Sequence, residues 1–85
     1  MEEVLFEMEK EMTGEEISKH LREIAEKLEK QENIQLESQT QSVSLETNTA
    51  KEFEIKVEKE HGEISLELEI EFKDKQEDNK NFKIS

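Results

Sequence analysis

Two histidines, a row of glutamates and three serines in strand-like segments are the side chains whose types and positions bear on chemistry. Their spacing decides which chemistry. His20 follows Glu16 by four residues, so on a helix the two share a face and could hold one metal ion between them. One histidine and one carboxylate make a poor site, and no third ligand is identifiable beside them. A surface histidine is the ordinary reading of His20. His61 precedes Gly62 between two alternating segments, the place of a turn residue. Glu52, Glu54, Glu67, Glu69 and Glu71 fall on one side of those segments, and Glu54, Glu67, Glu69 and Glu71 are the candidate ligands for a divalent cation. High-affinity cation sites wrap a curved loop around the ion, so a flat strand surface offers weak, diffuse binding. Ser42, Ser44 and Ser65 have no histidine placed beside them by sequence. Acid–base work by a Glu54–Glu69 pair would need at least one carboxyl desolvated, and an open acidic face provides the reverse. The absence of cysteine removes thiolate zinc sites, disulfide scaffolds and cysteine nucleophiles. The expectation is a protein without catalytic activity and without a cofactor.

The elements that position these residues are legible from periodicity. Over 51–72, Phe53, Ile55 and Val57 and then Ile64, Leu66, Leu68, Ile70 and Phe72 alternate with polar residues, the period of half-buried strands. Their parity switches across His61-Gly62. A two-residue turn there pairs Val57 with Leu66, Ile55 with Leu68 and Phe53 with Ile70, all on one face, and a slip of one residue destroys the match. The same register opposes Glu54 to Glu69 and Glu52 to Glu71, like charges that oppose pairing, with only Lys56 and Glu67 complementary.

Upstream, Thr13 and Glu16 fit a capping box, and Met12 with Ile17 fit the hydrophobic staple across it. Ile17, Leu21, Ile24, Ala25 and Leu28 form one apolar stripe, which predicts a helix over about 14–31 with Asn33 as its left-handed stop. Glu15–Lys19, Glu23–Lys27 and Glu26–Lys30 are spaced to support it by roughly 0.3–0.5 kcal/mol each. Val4, Phe6 and Met8 alternate with glutamates and predict a first strand over 3–9. Ile34, Leu36, Val43 and Leu45 predict a shorter hairpin, with a four-residue loop favoured by the lack of Gly around Gln39-Thr40. Residues 73–85 lack periodicity, and a disordered tail following a single 1–72 domain is expected, with Phe82 and Ile84 its apolar residues.

These elements give an α+β, two-layer fold: one helix packed on a mostly antiparallel five-stranded sheet, in the order β-α-β-β-β-β. Five strands span roughly 20–24 Å, whereas a helix with its side chains is about 10–12 Å wide. One helix leaves apolar sheet uncovered, and a second copy of the chain, a homodimer, is the expected cover. Phe6, Phe53 and Phe72 are the aromatics expected in the core or at that interface.

With 85 residues, 31% hydrophobic and 42% charged, the chain relies on this patterning to fold. Twenty-four acidic residues oppose 12 basic ones, giving a net charge of −12. That surface repels phosphate backbones and anionic headgroups, which disfavours nucleic-acid and membrane-surface roles, and it favours a basic protein partner. MEEVLFEMEKEM has no basic region and no apolar run, so no signal peptide is expected. No stretch approaches the ~20 apolar residues of a membrane span. A soluble cytoplasmic protein is the default. Function reads as a small acidic protein–protein interaction or structural module, with weak divalent-cation binding through the Glu-rich face as the alternative.

The opening strand EEVLFEMEKEMT, the helix EEISKHLREIAEKLE, two hairpins and the terminal SLELEIEF together resemble the amphi-Trp domain family over about residues 2–72. That family takes its name from an amphipathic last strand ending in Trp. Phe72 stands at the matching position, where the aromatic bulk is kept and the indole N–H is absent. The resemblance implies the fold and carries no assigned activity.

Overall fold

The computed structural model describes residues 2–74. In chain order the elements are α1 (Gly14–Lys30), β1 (Ile34–Glu37), β2 (Ser42–Leu45), a 3₁₀ turn (Thr47–Thr49), β3 (Ala50–Glu60) and β4 (Glu63–Phe72). The backbone divides into two units, Met1–Asn48 and Thr49–Ser85.

In the first unit α1 starts where the capping box places it. The Thr13 hydroxyl accepts the Glu16 N–H at 3.2 Å while the Glu16 carboxylate accepts the Thr13 N–H at 3.0 Å. The C-terminal end differs from expectation: Gln31, not Asn33, takes the left-handed conformation at φ 59°. Its N–H donates to the Leu28 carbonyl and the Glu32 N–H to the Lys27 carbonyl, the paired bonds that close a Schellman end. Thr47 is responsible for the tight finish, because its buried side chain donates to the Glu32 carbonyl at 3.0 Å just past the helix. Lys27 accordingly pairs with Glu32 at 3.4 Å, and Lys30 keeps its expected partner Glu26 at 3.6 Å.

The α1 stripe is covered unevenly. It contacts β1, and Ile24 and Leu28 are half-buried, whereas Ile17 and Leu21 are each 46% exposed. β1 and β2 are antiparallel with Ile34 opposite Leu45 and Leu36 opposite Val43, in the expected register and with the longer loop, residues 38–41. The Ser38 hydroxyl organises that loop by accepting the N–H groups of Thr40 and Gln41. Ile34, 6% exposed, is the one buried apolar side chain among the described residues.

The second unit holds the long hairpin. β3 and β4 pair antiparallel with Phe53 opposite Ile70, Ile55 opposite Leu68 and Val57 opposite Leu66, as the parity argument requires. His61 and Gly62 turn the chain at φ 50° and 80°, the positive angles of a primed two-residue turn. A bulge between Ala50 and Glu52 shifts the last rung so that Ala50 faces Phe72, and the Lys73 N–H closes the base on the Thr49 carbonyl at 3.0 Å.

The α+β class stands, but the five-stranded sheet does not. The described residues form four strands in two separate two-stranded sheets, β1–β2 and β3–β4. The expected first strand over 3–9 forms no ladder and bends at Leu5, and the Glu7 N–H donates to the Gln41 side-chain carbonyl instead of to a backbone partner. Alternation tells a segment which side to bury, but a strand also needs a neighbour offering backbone groups. Apart from Lys73 and Asp74, the expected tail with Phe82 and Ile84 lies outside the described residues.

Candidate functional site

The β3–β4 hairpin carries the two surfaces on which a function can be built, and the pleat separates them. On one face, Glu54 lies opposite Glu69 and Glu52 opposite Glu71, while Lys56 lies opposite Glu67. The Lys56 ammonium reaches the Glu58 carboxylate two residues on at 3.6 Å. A hydrogen bond that the protonated Glu69 carboxyl donates to Glu54, then the charge on Glu54, holds Glu69 above its ordinary range, with Glu71 and Glu52 adding to the effect.

The candidate cation ligands Glu54, Glu67, Glu69 and Glu71 are therefore neighbours on one face. Nevertheless, no group of three or more His, Cys, Asp or Glu able to hold a metal occurs among the described residues. A flat, exposed ladder spreads its oxygens in a plane rather than wrapping them around a point. Glu16 and His20 do share a helix face, but Glu16 spends its carboxylate on Thr13, whose backbone N–H and then hydroxyl hold it below the ordinary glutamate range. His20 lines a cleft of about 210 Å³ between α1 and β1 together with Met8, Ile24, Ile34 and Leu36. That is smaller than the roughly 300–1,000 Å³ of ordinary small-molecule sites. His61 lies at the exposed turn with Glu60 at 3.9 Å.

The opposite face is apolar and open. Phe53, Ile55, Val57, Ile64, Leu66 and Leu68 are between 46% and 72% exposed. Towards the base of the hairpin, Ile70 and Phe72 are half-buried. Of the three aromatics expected in a core or interface, Phe6 and Phe72 are half-buried, whereas Phe53 stands 60% exposed. The register adds one residue that sequence reading passed over: Lys59 pairs with Ile64 and so ends the apolar ladder with a charge at the turn. Its odd number, shared with Phe53, Ile55 and Val57, was the signal that could have placed it.

A long amphipathic hairpin whose last strand ends in an aromatic residue completes the pattern. The Amphi-Trp domain family matches residues 1–85. The chain belongs to that family. No curated protein and no solved structure matches it. In this Amphi-Trp chain the amphipathic strand is β4, with Phe72 as its last residue and Ala50 across from it. No helix among the described residues is long and apolar enough to cross a membrane.

Proposed function

We propose that this Amphi-Trp chain is a non-catalytic interaction or structural module that works by docking the apolar face of its β3–β4 hairpin onto protein. One observation carries the reading: six large apolar side chains on a single strand face stay 46–72% exposed. An isolated two-stranded hairpin is marginally stable in water, and a contiguous apolar face of this kind is the usual mark of an interaction surface. The acidic face then stays outward, where its charge favours a basic partner.

The test is a pull-down from native lysate at low and high salt, with wild type beside Leu66→Glu. The reading expects proteins that stay bound at high salt and are lost with Leu66→Glu. A set of bound proteins, copies of this chain included, that is identical for wild type and Leu66→Glu overturns it.

A further inference from the structure

We propose that the apolar hairpin face is the contact surface of a homodimer, covered by the same face of a second copy packed sheet against sheet. The inference rests on the docking reading above and names the occupant of that face.

Area supports the assignment. A large side chain presents roughly 150–200 Å², so six of them at 46–72% exposure leave about 500–700 Å² per copy. Pairing two such faces removes about 1,000–1,400 Å² from water, within the lower range of specific interfaces.

Charge decides the geometry. Edge-to-edge pairing would bring two carboxylate-bearing strands about 4.8 Å apart. Face-to-face packing sets the sheets about 10 Å apart with both acidic faces outward. Their carboxylates are then separated by about two Debye lengths at physiological salt, so the repulsion between two acidic chains is largely screened.

The ladder is also self-complementary. Its apolar rungs are Phe53/Ile70, Ile55/Leu68 and Val57/Leu66, centred on Ile55/Leu68. A two-fold axis across the strands at that central rung lays Ile55 over Ile55 and Phe53 over Val57 of the second copy. It also sends the two Lys59 ammonium groups to opposite ends, about 27 Å apart at ~3.4 Å per residue. An axis along the strands would instead leave both Lys59 at the same end of the interface.

Sedimentation velocity over a wide concentration range, with isotope-filtered NOEs on a mixture of labelled and unlabelled wild-type protein, tests this without a variant that might unfold. The expected result is a species of twice 10.1 kDa, insensitive to salt, with cross-copy NOEs from Ile55 to Ile55 and from the Phe53 ring to Val57. A dimer whose cross-copy NOEs run through Ile17 and Leu21 overturns the proposal, and so does a monomer at the highest concentration. The two readings then part on a soluble paramagnetic probe. A monomer whose Ile55 and Leu66 methyls are bleached keeps the docking face and loses the homodimer. A monomer whose methyls are shielded loses both.

Discussion

Glu16 and Glu69 are glutamates of one chain pushed in opposite directions, and the cause in each case is the neighbour that supplies or withholds a proton. Thr13 donates to Glu16 and favours its anion, so the folded helix binds that proton less readily than the unfolded chain. The stabilisation is present above the ordinary glutamate range and is lost as pH falls through the depressed value. Glu69 faces Glu54 and favours its acid form, so the folded hairpin holds a proton that the unfolded chain releases. Acidification through the window between the raised and the ordinary value therefore stabilises the hairpin, and raising the pH through it removes that gain. A carboxyl-carbon NMR titration is expected to place Glu16 below and Glu69 above the ordinary range, and Glu54→Gln to bring Glu69 back towards it. Glu69 titrating at or below the ordinary value would contradict this reading of its place opposite Glu54. Two backbone angles give a second opposed pair. Gly62 sits at φ 80° with open space where a Cβ would go, so Gly62→Ala costs backbone strain alone, about 1–2 kcal/mol. Gln31 at φ 59° carries that strain already, and Gln31→Gly is expected to stabilise the helix end by up to about 1 kcal/mol. Denaturant titration of the two variants checks both signs.

At the scale of elements, sequence reading succeeded wherever the deciding contacts were local. The capping box lies within four residues, and each hairpin register is fixed by one parity switch and one turn. It failed at two places within the first unit, for non-local reasons. The end of α1 is set by Thr47, sixteen residues beyond Gln31, whose hydroxyl meets the Glu32 carbonyl and leaves no role for Asn33 as the stop. Residues 3–9 have a strand's alternation, but Glu7 meets a side chain where a ladder partner was needed. Thr47→Val keeps the shape and leaves a part-buried carbonyl without its donor, so it should cost about 1–2 kcal/mol and loosen the last turn of α1. Unchanged amide exchange at Gln31 and Glu32 in that variant would sink the account of the helix end.

For the whole molecule, composition and charge argue against some partners more readily than they argue for any one. The Glu-rich face was legible as a surface from alternation alone. Its lack of a metal cage among the described residues follows from the flatness of a ladder, which needs the register to be seen. The apolar face was legible as well, but its fate was not: alternation states that Phe53, Ile55 and Leu66 want cover and is silent on what provides it. The structure leaves them open, and the homodimer proposed above assigns their cover to a second copy of the chain. Hydrogen exchange of the inter-strand amides of β3 and β4, followed across a dilution series, tests that claim most directly. Protection that falls on dilution in β3 and β4 while α1 holds its own is the predicted result. Protection of the hairpin that is independent of protein concentration would contradict it.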